Sequence, residues 1–281
     1  HLRYRHANTA SDGPGDERCS GTRLHPEPAL DADTGGVRFA SAPRRSTRDR
    51  DVTAALGRGR AWGPTVTQLV VGRASELAQI RSVLDDIPGG AGTLLFSGPA
   101  GIGKTTLWLA AIDEALARGY RVVSSRPVEV ETHLPFSALI DLLDSLADAY
   151  LGGLPDPQRS AVEAALFRTT AERPPDPLGV ALGVVNILRR AAADRPLVLA
   201  IDDVPWLDES SARVLAFATR RLETEAIGLI ATRRTTDDAR REPPRLFAGL
   251  PARRRVTMNL GPLTLTETNQ LLRHNLALAL N

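Results

Sequence analysis

Gly98-Pro99-Ala100-Gly101-Ile102-Gly103-Lys104-Thr105 decides the fold. The stretch satisfies G-x-x-x-x-G-K-[ST] at every fixed position. Directly before it runs Thr93-Leu94-Leu95-Phe96-Ser97, a short apolar segment of the kind that forms a strand buried on both faces. After it, the spacing predicts a helix to about Arg118, closed by Gly119. Strand, glycine-rich turn and helix in this order make a cradle for phosphate groups. Glycines let the backbone curl until successive N–H groups face one centre. The helix that follows adds unpaired N–H groups and the positive end of its dipole. Lys104 reaches the β- and γ-phosphates, and the Thr105 hydroxyl is offered to Mg²⁺. Lys104 is the only lysine among 35 lysines and arginines. A planar guanidinium would not serve as the compact point charge that such a loop encloses.

About one domain-core downstream stands a second apolar run, Leu197-Val198-Leu199-Ala200-Ile201, ending in Asp202-Asp203. In a phosphate-loop arrangement this strand is expected beside the first, with its terminal acid facing the metal ion. Asp202 is then the metal-side residue, acting through a bound water. Asp203 orients or deprotonates the attacking water. The competing reading is that one or both acids cap the turn that follows. Asp203 is one methylene shorter than the glutamate many relatives of this fold carry, which predicts slow turnover.

The rest of the chain reads as alternating strands and helices. Leu69-Val70-Val71-Gly72-Arg73 is expected to be extended, with a helix opening at Ser75 and stopped by Pro88-Gly89-Gly90. Tyr120 to Ser125 is a strand. Helices are expected at 136–149, 158–171 and 178–193, a helical insertion at about 134–193. A helix follows at Ser210 to Leu222, strands at Ile227 to Thr232 and Arg255 to Leu260, and a final helix from Thr266 to Leu280. The fold class is therefore α/β, a P-loop NTPase with a mostly parallel sheet flanked by helices. Residues 1–66 are rich in Arg, Gly, Pro and Ser, lack an apolar period, and are read as a disordered tail. Residues 67–260 are the core, and 261–281 begin a helical lid.

Composition narrows the function classes. Apolar residues make up 42% of the 281, enough for a packed core, so a wholly disordered chain is excluded. No uncharged apolar run reaches the roughly 18–20 residues of a membrane-spanning helix. One cysteine, Cys19, and five scattered histidines exclude a Cys-based zinc site or an internal disulfide. A cytoplasmic location follows as the expectation. The net charge of +2 lies in the tail. Residues 1–60 hold 11 arginines against 8 acids, and the remainder 24 basic against 25 acidic groups. Direct DNA binding by this chain is not expected, because an electrostatic footprint needs a patch on a domain.

Several blocks resemble a known family. Val71-Gly72-Arg73-Ala74-Ser75-Glu76-Leu77 and Gly98 to Thr106 resemble the opening segment and the Walker A loop of ATPases near the AAA+ and STAND classes. Asp202-Asp203-Val204-Pro205-Trp206-Leu207-Asp208-Glu209-Ser210-Ser211 is similar to the "DDxxWxDxxS" block of the large ATP-binding regulators of the LuxR family. Gly228 to Arg234 resembles the strand that carries the sensor-1 position, and Leu260 to Thr264 the approach to the helical subdomain.

The resemblance implies a nucleotide-switch ATPase, in which ATP favours a signalling assembly and hydrolysis resets it. It places phosphates and Mg²⁺ at Gly98, Gly101, Gly103, Lys104, Thr105 and Thr106, with Pro99, Ala100 and Ile102 completing the loop. Asp202 and Asp203 are its acidic pair. Arg234 is the sensor-1 candidate toward the γ-phosphate, with Arg233 second, and Val71 and Arg73 border the adenine. Such regulators continue into a full lid, a sensor region and a helix-turn-helix, so the chain is expected to be a truncated module. Its expected partners are ATP and ADP, with nucleotide-dependent self-association. Two alternatives stand beside the ATPase: a non-hydrolysing nucleotide-binding module, and a P-loop small-molecule kinase whose insertion is an acceptor lid. Trp206 is expected to be a packing anchor. Asp208 either supports Mg²⁺ from behind or caps the Ser210 helix. Arg220 and Arg221 favour a helix C-terminus, an arginine finger being the minority reading, and Arg253-Arg254-Arg255 is a solvated turn.

Overall fold

The structure is a computed structural model, and it describes residues 70–170, 173–235, 246 and 254–279. The tail read at 1–66 lies outside the described residues. In chain order the elements are α1 (Ala74–Asp86), β1 (Gly92–Gly98), α2 (Lys104–Ala117), β2 (Arg121–Ser125), α3 (Ser137–Tyr150), α4 (Asp156–Ala165) and α5 (Pro177–Asp194). They continue with β3 (Leu197–Ile201), α6 (Glu209–Thr219), β4 (Ile227–Arg234), β5 (Arg255–Asn259) and α7 (Leu265–Ala279).

The five strands form one parallel sheet in the order β2-β3-β4-β1-β5. Parallel strands need crossovers, and the helices of those crossovers cover both faces of the sheet. That is why β1 and β3 are buried at every position rather than at alternate ones. Alternation survives in which face each residue meets. Leu95, Leu197, Leu199, Ile201 and Leu229 share a core with Leu139, Leu142, Val184, Ile187 and Leu215 of α3, α5 and α6. Leu94, Phe96, Val198, Ala200 and Ile230 meet Ile80 and Leu84 of α1 and Leu107, Trp108 and Ala111 of α2.

One expectation about the sheet is corrected. The acidic strand β3 does not lie beside β1; β4 stands between them, with Leu94 opposite Ile230 and Leu199 opposite Leu229. All three are central and apolar, so their composition carries no information about which pairs with which. The pairing is decided by the crossovers and by the match of residues across neighbouring strands.

Local chemistry explains most boundaries. Asp176 caps α5, accepting from the Gly179 amide at 2.6 Å, and Pro177 supplies a first-turn residue that needs no donor. Gly119, at φ 75°, follows α2 where the chain must leave the helix left-handed. Two predicted elements differ. Val71-Gly72 is a turn rather than a strand, and α4 stops at Ala165 rather than running to 171. Phe167 has φ 53°, incompatible with continuing the helix, although Leu166-Phe167-Arg168 contains no breaker. The helices of residues 134–193 sit between β2 and β3 in sequence. Among them α3 and α5 contribute directly to the core under the sheet.

Gly228 shows how tightly the other face is closed. A Cβ there would sit 2.4 Å from Cδ1 of Ile87, itself fully buried. Gly228→Ala is expected to destabilise the fold by about 1–3 kcal/mol through overpacking, read from the urea unfolding midpoint. A midpoint equal to the parent's would show that Ile87 has room to move.

Candidate functional site

The site is built where the C-terminal ends of the central strands meet the start of α2. β1 ends at Gly98, and α2 begins at Lys104. Between them Gly101 and Gly103 take φ 76° and 100°, and a Cβ on either would touch nothing within 4 Å. The requirement there is backbone conformation, not space. Pro99, Ala100 and Gly101 are exposed, Ile102, Thr105 and Thr106 half-buried, and Lys104 buried. No side chain caps the first turn of α2, so its N–H groups stay available to an anion.

Lys104 reaches back across this loop. Its Nζ donates to the carbonyl of Pro99 at 2.7 Å and to that of Gly98 at 3.0 Å. Burial holds the ammonium below the ordinary lysine range; the charge of Asp203 opposes that shift, Arg234 adds to it, and Asp202 opposes it.

The acidic strand end faces the loop across β4. Thr105 Oγ1 lies 3.2 Å from Oδ2 and 3.4 Å from Oδ1 of Asp202. Asp202 is 5% exposed, and Thr232 Oγ1 donates to its Oδ1 at 2.7 Å. Register explains this contact, since Ile201 pairs with Ala231 and the next residues are therefore neighbours. Thr232 also accepts from the Asp203 amide at 2.7 Å. Asp203 has φ 60°, a left-handed conformation that aspartate tolerates better than most residues. Its carboxylate pairs with Arg234, with Nη2 2.9 Å from Oδ2. That hydrogen bond and its charge raise the Arg234 guanidinium still further above the physiological range. Arg234 stands opposite Gly98 in register, which puts it at the mouth of the loop. Arg233 turns to Ser97 Oγ at 3.4 Å.

Arg73 reaches the loop from the segment before α1. The Arg73 guanidinium donates to the carbonyls of Gly261 at 2.7 Å and Ile102 at 3.2 Å and pairs with Glu76 at 2.9 Å. It therefore pins the loop to the segment after β5. Gly72 lies against Glu267, which with Thr264 forms a capping box at the start of α7. Val71 is half-buried in the turn before Arg73.

The structure decides the residues left open downstream. Asp208 is a cap: its carboxylate accepts from the Ser211 amide at 2.8 Å. It also accepts from the amides of Phe136 and Ala138, so it holds the start of α3 as well. Trp206 is only half-buried, and Val204 and Leu207 fill the core in its place. Among the described residues, the deeply buried tryptophan is Trp108 on α2. Arg221 stacks 3.5 Å over Phe217 and donates to its carbonyl, the helix-terminus role. Arg254 is not a solvated turn residue, because it donates to the Gly89 carbonyl at 2.7 Å.

Two participants were missed. Thr232 is the first polar residue after the apolar run Ile227 to Ala231, a signal that was legible. Arg126, 3.3 Å from Asp202, carried none, because its partner is 76 residues away.

A threonine hydroxyl and a buried carboxylate are hard oxygen donors that suit Mg²⁺, which binds through one or two carboxylates plus substrate phosphates. Among the described residues no cluster of three or more His, Cys, Asp or Glu side chains could cage a metal ion alone. No helix among the described residues is long and apolar enough to cross a membrane.

No curated protein matches the chain. Among solved structures it is similar to a DNA replication initiation factor, at 18% identity over 76% of this chain and 54% of that one, with a TM-score of 0.40. AMPPCP-bound DnaA from Aquifex aeolicus matches at 16% identity over 73% and 51%, with a TM-score of 0.37. A signal-transduction ATPase with numerous domains and a tetratricopeptide repeat sensor, from Pyrococcus horikoshii, matches at 18% identity over 73% and 25%, with a TM-score of 0.41. The chain thus spans about half the length of the first two and a quarter of the third. The family model described as the AAA ATPase domain matches residues 69–230, more than half of the chain, so this protein belongs to the AAA ATPase domain family.

Proposed function

We propose that this chain binds Mg·ATP at the phosphate loop and acts as the nucleotide switch of a LuxR-type regulator, hydrolysing ATP slowly. The observation that carries the reading is the 3.2 Å approach of Thr105 Oγ1 to the Asp202 carboxylate. Two segments 97 residues apart, each chosen for metal-phosphate chemistry, meet through their oxygens. In this reading residues 98–106 hold the phosphates, and Lys104 leaves its loop carbonyls for the triphosphate. Thr105 and Asp202 hold Mg²⁺, which supplies charge neutralisation to the phosphoryl oxygens. Asp203 orients the attacking water, Arg234 meets the γ-phosphate, and Val71 and Arg73 border the adenine. Residues 67–260 form the ATPase core, 261–281 open a lid, and 1–66 are a tail. ATP binding favours self-association, and the setting is cytoplasmic. The LuxR assignment is supported by the order of the sequence blocks from Val71 to Thr264.

A second reading keeps binding and drops hydrolysis. One observation favours it: the Asp203 carboxylate is engaged by Arg234 at 2.9 Å, which ties up the group that would handle water. Phosphate release by the full chain separates the two. Under the ATPase reading, Asp203→Asn leaves nucleotide affinity unchanged and lowers phosphate release at least about tenfold. Equal release from parent and variant would remove Asp203 from the mechanism. Nucleotide-dependent assembly with no release from the parent would establish the binding module.

A further inference from the structure

Arg126 follows β2 directly, and its position is set by the sheet. Ser125 pairs with Ile201, and the Asp202 amide donates to the Ser125 carbonyl at 3.0 Å. The residues just beyond the two strands are therefore neighbours. Nη2 of Arg126 lies 3.3 Å from Oδ2 of Asp202.

The two oxygens of Asp202 have different company. Oδ1 is held by Thr232 at 2.7 Å, with Thr105 farther off at 3.4 Å, while Oδ2 is shared between Thr105 at 3.2 Å and Arg126 at 3.3 Å. A buried carboxylate without a compensating charge is costly, and Arg126 supplies that charge. Lys104 acts on Asp202 only through space, since its hydrogen bonds go to the loop carbonyls, whereas Arg126 touches the carboxylate directly.

Yet the pair is loose. Its length exceeds the roughly 2.7–2.9 Å of a close charge-assisted bond. The Arg126 side chain is 51% exposed against 7% for Asp202. Its guanidinium also lies 5.9 Å from the centroid of the Trp108 ring, a face that can keep a cation when it leaves the carboxylate. Trp108 follows Thr105 by about one helical turn, so the ring near the guanidinium stands beside the hydroxyl that shares Oδ2 with it. A divalent cation held by Thr105 and Asp202 needs Oδ2. Two cations on one oxygen in a partly buried site repel strongly.

We propose that Arg126 is a tethered counter-cation that occupies the metal-facing oxygen of Asp202 and is displaced by the divalent ion, a positioning residue that sets how much metal the site demands. The inference rests on the reading of the phosphate loop as a Mg·ATP site. Arg126 keeps the buried carboxylate neutralised and aimed before metal arrives, then retires onto Trp108. The consequence is competition: the arginine raises the Mg²⁺ concentration at which nucleotide binding tightens.

The test uses the full chain and needs no turnover. ATP affinity is measured by calorimetry across a series of buffered Mg²⁺ concentrations. Arg126→Gln is expected to shift the Mg²⁺ midpoint downward by about five- to tenfold, the size of a typical coupling between competing sites. Arg126→Lys, which keeps the charge, is expected to stay near the parent. A glutamine variant that needs as much Mg²⁺ or more would overturn the proposal, and so would a lysine variant that shifts as far as glutamine. A parent chain that binds no ATP at any Mg²⁺ concentration would overturn the Mg·ATP reading and this inference with it. Binding with an unmoved midpoint would overturn this inference alone.

Discussion

Lys104→Ala is expected to abolish ATP binding, with a loss of at least about a hundredfold in Kd, roughly 3 kcal/mol. The estimate follows from removing the ammonium that the loop encloses, a donor of charge-assisted bonds to phosphate oxygens. The variant is also expected to fold. Burial lowers the lysine's affinity for its proton, so the folded chain holds that proton less tightly than the unfolded chain does. The ammonium therefore adds no net electrostatic stability that its removal would forfeit. Of its two acceptors, the Pro99 carbonyl belongs to an exposed residue that water can reach, and the Gly98 carbonyl, at the buried end of β1, also accepts from the Thr235 amide at 3.1 Å. Calorimetry with ATP reads the first effect and thermal unfolding the second. Unchanged affinity in a folded variant would count decisively against the phosphate loop as the nucleotide site. Lys104→Arg is expected to fail almost as badly, because a planar fork does not fit a cage shaped for a point charge.

Asp208→Ala is expected to cost about 3 kcal/mol of stability, among the largest single effects in the fold. Asp208 is 1% exposed. It accepts from the Ser211 amide at the start of α6 and from the amides of Phe136 and Ala138 at the start of α3, at 2.8, 2.8 and 3.2 Å. The Ser137 hydroxyl donates to it as well, at 3.2 Å. Alanine would leave buried donors of two helices without acceptors. The α3 start needs this help because its own N-cap residue, Phe136, has a left-handed backbone and no side-chain acceptor. Asp208→Asn retains one oxygen and is expected to recover part of the loss. Urea unfolding gives the measurement, and a cost below about 1 kcal/mol would show that water reaches those amides.

The strand, glycine-rich turn and helix around residues 98–105 were legible because their pattern is local. Eight consecutive residues carry the turn, the charge and the hydroxyl, and the flanking strand and helix are set by near-neighbour patterning. The apolar runs at 93–97 and 197–201 likewise announced a sheet covered on both faces. The boundary of α4 was not legible, since Phe167 ends the helix by a backbone conformation that its side chain does not favour. Nor was Arg254, whose guanidinium finds the Gly89 carbonyl across 165 residues.

The limit of sequence reading lies at the sheet order. Hydrophobic runs state that β1, β3 and β4 are buried, but each would satisfy either neighbour equally. Only the packed fold sets β4 between the loop strand and the acidic strand. That insertion brings Thr232 against Asp202 and Arg234 against Asp203, and leaves the end of β2 to deliver Arg126. Residue identity along the chain thus specified the glycine-rich turn with its lysine and hydroxyl, because backbone curvature and charge act over a few bonds. Which cations and hydroxyls surround the two carboxylates came from strand adjacency, a property of contacts between segments dozens of residues apart that no local period encodes.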